Sequence, residues 1–162
     1  MPDIHAHAGV MEVLIPNAKR DIIFKSGHLI PLEQSEAFNS SVIKFLNGLE
    51  FYIILNSQGV NAAVKHFITK LKSEPGVKIL EENEINALEY SFLQNGKTKD
   101  AIELFKLNTV VYPNSANVYD SLGEACLKDG QIDLAIKNYK KSLELNPQNE
   151  YVKKILEQLQ KK

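Results

Sequence analysis

The residues most able to do chemistry in this chain are its histidines, one cysteine and a serine–lysine pair. His28 stands in FKSGHLIPLEQSEAFN (24–39), which reads as the end of a strand, a Gly-His turn and a helix beginning near Ser35. A histidine presented on such a turn can serve as a general base, provided a nucleophile lies within hydrogen-bond reach. Ser41-Val42-Ile43-Lys44 fits S-x-x-K, in which the lysine would activate the serine. Its companion lysine motif occurs only as Lys97-Thr98-Lys99, without the glycine, and a chain rich in Ser and Lys produces such a match by chance. His5-Ala6-His7 could give a metal two ligands, but no clear third is near them, so no metal is expected. His66 sits beside Phe67 on a predicted helix and reads as a partly exposed packing residue. Cys126 reads as a core thiol.

These residues need a frame, and the bulk properties bound it. The chain has 162 residues, 44% hydrophobic and 24% charged, with a formal net charge of −1. That length suits one domain with a core. The balanced charge gives no reason to expect nucleic acid or an anionic membrane as partner. A single cysteine excludes an internal disulfide and fits a reducing compartment. The opening MPDIHAHAGVMEVLIP lacks the basic start and apolar run of a signal peptide, and no segment has about 20 consecutive apolar residues. A cytoplasmic protein is expected.

The second half repeats itself. EINALEYSFLQNGKTKDAIELFKLNTVVYP (84–113) aligns with NVYDSLGEACLKDGQIDLAIKNYKKSLELNP (117–147), and Pro113 and Pro147 are 34 residues apart. At that offset Ile85 matches Tyr119, Leu88 Leu122, Phe92 Cys126, Gly96 Gly130, Ala101 Ala135 and Phe105 Tyr139. Each unit reads as helix, glycine turn, helix, proline. Ile85, Leu88 and Phe92 make one apolar face of a first helix. Ala101 lets the paired helices approach, and Phe105 fills the space beside it. Gly96 and Gly130 suit a turn with positive φ after a helix end. Asn146-Pro147 reads as a cap followed by the first-turn proline of another helix.

This pattern resembles the tetratricopeptide repeat (TPR), whose period is 34 residues. The second unit carries it at Tyr119, Leu122, Gly123, Cys126, Ala135, Tyr139, Ser142 and Pro147; the first departs at Glu89 and Asn108, where small residues are usual. After Pro147, Tyr151, Ile155, Leu156 and Leu159 form the apolar face of a terminal capping helix, which such arrays require. Upstream, residues 47–76 read as a degenerate hairpin around Gly59, one residue short of the later units. The resemblance implies a partner-binding concave face built from the first helices. Its positions here are Asn83, Asn86, Tyr90 and Leu93, then Asn117, Asp120, Glu124 and Lys128. That set is polar and of mixed charge, which suits an extended peptide, and it lacks the Lys/Asn/Arg clamp that some TPR proteins use for a C-terminal carboxylate.

Residues 2–47 follow another pattern, with a short strand at about 20–25, the Gly27-His28 turn, Pro31-Leu32-Glu33 and a helix. They resemble the C-terminal end of the α/β-hydrolase fold, which implies His28 as the catalytic histidine. The acid of that family lies some 25 residues earlier, where this chain has Asp3. The family's nucleophile elbow, G-x-S-x-G, occurs nowhere in the chain. His28 and Asp3 are therefore expected as relics, with no catalytic site. The lone strand at 20–25 has no partner in the chain, so a homodimer pairing it across a two-fold axis is expected.

The sequence thus predicts a mainly α protein, a TPR-like array with a short N-terminal strand-helix appendage. Its parts are the hydrolase-like segment 1–47, a degenerate hairpin 48–81, two repeat units 82–147 and a cap 148–162. The expected function is non-enzymatic protein–protein interaction without cofactor or metal, its partner a protein or peptide on the concave face. The alternative is one piece of a serine hydrolase whose nucleophile lies on another chain or has been lost.

Overall fold

A computed structural model describes residues 34–77 and 79–160. The chain divides into two units, residues 1–45 and 46–162. The strand at 20–25, the Gly27-His28 turn, Asp3 and the two histidines near the start all lie outside the described residues. So does the specific core of the hydrolase resemblance, Gly27-His28 with Pro31-Leu32-Glu33; of that segment only the helix expected from near Ser35 is described, and a helix alone does not distinguish the family.

The described residues are helical: α1 Ser35–Gln58, α2 Val60–Ser73, α3 Glu82–Gln94, α4 Thr98–Val111, α5 Ala116–Lys128, α6 Ile132–Leu145 and α7 Glu150–Gln160. The first unit's described residues, 34–45, enter α1. That helix runs through the boundary that sequence places between residues 47 and 48. Asn47-Gly48 resembles a helix-ending pair, but Gly48 here serves close approach. A Cβ on it would lie 3.2 Å from the Ile79 carbonyl oxygen. No helix in the described residues is long and apolar enough to cross a membrane.

The glycines expected to turn the units do so. Gly96 and Gly130 have φ of 73° and 77°. Around Gly96, Lys97 N–H donates to Phe92 O at 3.0 Å and Gly96 N–H to Leu93 O at 3.2 Å. Around Gly130, Gln131 N–H donates to Cys126 O at 2.9 Å and Gly130 N–H to Leu127 O at 3.1 Å. Both are Schellman closures, which satisfy carbonyls that a helix end leaves open. Between α1 and α2 only Gly59 intervenes; the residue that follows the glycine in the later units, Lys97 or Gln131, has no counterpart, which sequence registers as a phase one residue short.

Two cores result. The first gathers Phe51, Leu55, Val60, Ala63, Phe67, Ile79, Leu80, Ile85, Leu104 and Leu107; Phe51 and Phe67 meet edge to face at 5.5 Å. The second gathers residues from α4 through α7, with Ala101, Phe105, Ala125, Ala135, Tyr139 and Val152 among them. In the first core large rings separate α1 from α2. In the second, small residues bring α5 onto α6: a Cβ at Gly123 would lie 2.9 Å from the buried Tyr139 ring. Gly123→Ala is therefore expected to cost about 1–3 kcal/mol, read as a lowered urea midpoint at unchanged m-value.

Two details differ from the sequence reading. The buried cap residues are Val152 and Leu156, with Ile155 and Leu159 partly covered, whereas Tyr151 is 63% exposed. The apolar face is rotated by one residue, so Val152 fills the position assigned to Tyr151. Nor does Asn146-Pro147 start α7. The Asn146 side chain accepts from Gln148 N–H at 3.3 Å, and it is Asn149 that caps α7 by accepting from Val152 N–H at 3.2 Å. Pro147 lies in the intervening turn.

Candidate partner-binding face

The candidate face is made by α3 and α5, the first helices of the two regular units. Glu81 N–H donates to the Glu84 carboxylate at 2.8 Å and fixes the start of α3. Behind the face, Tyr90 rests edge to face on Phe105 at 5.3 Å. The repeat thus sets one candidate side chain, Tyr90, on a buried ring.

Most of the residues expected on this face are hydrogen-bonded to one another or to neighbours. The Tyr90 hydroxyl donates to Glu124 Oε2 at 2.8 Å, and Lys128 Nζ pairs with Glu124 Oε1 at 2.9 Å. Ser121 Oγ donates to Asn86 Oδ1 at 3.3 Å. Asn117 Nδ2 donates to Glu82 Oε1 at 3.3 Å, which also accepts from Ser115 Oγ at 2.8 Å. Asn149 Nδ2 reaches Asp120 Oδ2 at 3.3 Å from the start of α7. Of the eight expected positions, Asn83, Asn117 and Lys128 are exposed and Asn86, Tyr90, Leu93, Asp120 and Glu124 half-buried. Sequence reasoning missed Ser121, Glu82 and Asn149, whose bonds join α3 to α5 and α5 to the start of α7. Ser121 carries a readable signal: a small polar residue between Asp120 and Leu122, where α3 must approach.

The electrostatics follow this packing. Burial and the nearby Glu124 carboxylate push the Tyr90 hydroxyl up to about 12, while its hydrogen bond to Ser121 works the other way. Burial alone would raise Glu124, but hydrogen bonds from Lys128 and Tyr90 outweigh it and hold the group below the usual carboxylate range. Burial raises Asp120 despite the opposing Asn149 bond. At neutral pH the face presents ordered carboxylates beside one lysine, and side-chain amides able both to donate and to accept.

The departures from the repeat pattern in the first unit are also ordered. Glu89 and Asn108 are each 0% exposed, and Asn108 Nδ2 donates to Glu89 Oε2 at 3.4 Å. Among the described residues Glu89 Oε1 and Asn108 Oδ1 have no hydrogen-bond partner. Burial, with the Glu82 charge adding to it, lifts Glu89 to about 8 against the pull of Asn108. His66 is half-buried, as sequence suggests. Its Nε2 lies 3.4 Å from Glu50 Oε2, near enough for an ion pair though not aligned for a hydrogen bond. Cys126 is buried, and no cluster of three potential metal ligands occurs among the described residues.

Residues 116–149 match the sequence model of the tetratricopeptide repeat. This chain contains a TPR. The matched stretch is α5, α6 and the turn beyond them. An arginine-to-glutamate mutant of MamA superposes with a TM-score of 0.53 at 19% identity, over 73% of this chain and 83% of its own. The first TPR of Spaghetti (RPAP3) bound to the HSP90 peptide SRMEEVD gives 0.49 at 15% identity, over 75% and 93%. No curated protein sequence matches the chain. At 19% identity the likeness to MamA speaks for the fold, a helical array of the TPR kind.

Proposed function

We propose that this chain is a non-enzymatic protein-interaction module and that the α3–α5 face binds an extended peptide. One observation carries this reading. Equivalent helices of two successive units present a continuous row of polar side chains, held in place by the Tyr90–Glu124–Lys128 and Asn86–Ser121 bonds between and along them. A prearranged row loses little side-chain freedom on binding. Asn83, Asn86 and Asn117 offer amides that match the alternating donors and acceptors of a peptide backbone. Glu82, Asp120 and Glu124 outnumber Lys128, so the favoured peptide carries net positive charge.

Peptide display panned against the purified chain tests this. Enriched sequences should be extended and basic. Asn83→Ala combined with Asn117→Ala should weaken their binding by roughly tenfold or more, at about 1 kcal/mol for each lost bond, with the melting temperature lowered by no more than the exposed Asn117–Glu82 hydrogen bond is worth. Binders that hold the double variant as tightly as the wild type would contradict the reading.

A further inference from the structure

Helix α1 is apolar on two opposite sides. Asn47, Gly48, Phe51 and Leu55 are buried on one side. On the other, Val42 is 39% exposed, Leu46 54%, Leu49 46% and Ile53 58%, with Phe45 flanking them at 47%. At 100° per residue the four fall within a stripe about 60° wide, roughly opposite Phe51. A helix apolar on both sides is normally covered on both. Elsewhere the large exposed apolar residues are scattered, and scattered residues need no explanation. Here they form a patch on the order of a few hundred Å², the size at which such patches mark an interaction surface.

We propose that this stripe is a self-association surface, covered by α1 of a second copy running antiparallel. The spacing argues for it. Val42, Leu46, Leu49 and Ile53 are separated by four, three and four residues, the a/d seam of a coiled coil. The seam is symmetric about its midpoint between Asn47 and Gly48. A two-fold axis there sets each Leu46 against the partner's Leu49 and each Val42 against the partner's Ile53. An isologous interface demands this self-complementarity. A parallel pairing is disfavoured because Gly59 alone separates α1 from α2. Side-by-side helices would bring the following helices of both copies together at one end, whereas antiparallel helices send them to opposite ends. The seam spans about 16 Å along the axis, and a patch on the order of a few hundred Å² is small against the roughly 800 Å² per partner of a standard interface. The dimer is therefore weak and concentration-dependent. The proposal involves none of residues 20–25 and does not depend on the peptide-binding reading.

Sedimentation velocity on the full chain, from micromolar to near-millimolar concentration, tests the proposal. The expected mass rises towards twice the monomer. Leu46→Glu alone and Leu49→Lys alone should each weaken association roughly tenfold or more. Combined, they place opposite charges across the two-fold axis and should restore much of it. Helical content should stay unchanged, because both side chains are about half exposed. Monomeric behaviour at every concentration overturns the proposal, including the case where other residues of the chain cover the stripe. A dimer indifferent to both single substitutions also overturns it. Failure of the combined variant to recover overturns the antiparallel register.

Discussion

Glu89→Gln is expected to stabilise the protein by about 2–3 kcal/mol at neutral pH, on the rule that each pKa unit is worth 1.36 kcal/mol. Glu89 is fully buried and raised to about 8 from an ordinary 4.5. Folding at neutral pH must therefore protonate a carboxyl that is ionised in the unfolded chain. The sign follows directly. Between about pH 4.5 and pH 8 the folded state holds one more proton than the unfolded state, so this group's contribution falls as pH rises and levels off above 8. Glutamine is neutral throughout and nearly isosteric. Its amide can donate to Asn108 Oδ1, which lacks a partner in the native pair, while its oxygen keeps the bond from Asn108 Nδ2. The stability gap between variant and wild type should widen from about pH 5 to about pH 8 and then stay flat. Urea titrations of both proteins across that range measure it. A gap constant with pH would mean that Glu89 stays ionised in the fold.

Phe105→Ala should be the most damaging single truncation, at about 3–5 kcal/mol. The ring is 0% exposed and belongs to the second core. It also supports Tyr90 edge to face, so its loss leaves a cavity under the candidate face. A domain of this size is stabilised by only about 5–15 kcal/mol, so the variant should be partly unfolded near body temperature. Phe105→Leu keeps most of the volume and should cost markedly less. Thermal melts of the two variants separate a packing role from a general intolerance of change, since equal losses would exclude the cavity explanation.

Much of the array was legible because its signals are local and repeated. A 34-residue period fixes the order of helices, and the turns at Gly96 and Gly130 announce themselves by needing positive φ. The errors arose where neighbouring residues could serve one purpose equally well. Tyr151 and Val152 are both apolar and differ by 100° around α7, and only contact with the second core selects Val152. Asn146 and Asn149 are both capping residues, and only backbone geometry shows which of them starts a helix.

The non-local pairs were out of reach. Sequence flags Glu89 and Asn108 as departures, but not that each is the other's partner across two helices. The Tyr90–Glu124 and Asp120–Asn149 bonds likewise join residues about thirty positions apart. In α1, Asn47-Gly48 carries a terminator's composition, and only the approach to the Ile79 carbonyl explains why a helix passes through it.

If the α3–α5 face receives a peptide, amide chemical-shift mapping will locate it residue by residue. The labelled chain would be titrated with a basic peptide selected by display. Shifts should concentrate at Asn83, Asn86, Tyr90 and Leu93 and at Asn117, Asp120, Glu124 and Lys128, with α6 scarcely moved. Saturable shifts confined to other helices, with α3 and α5 silent, would contradict it.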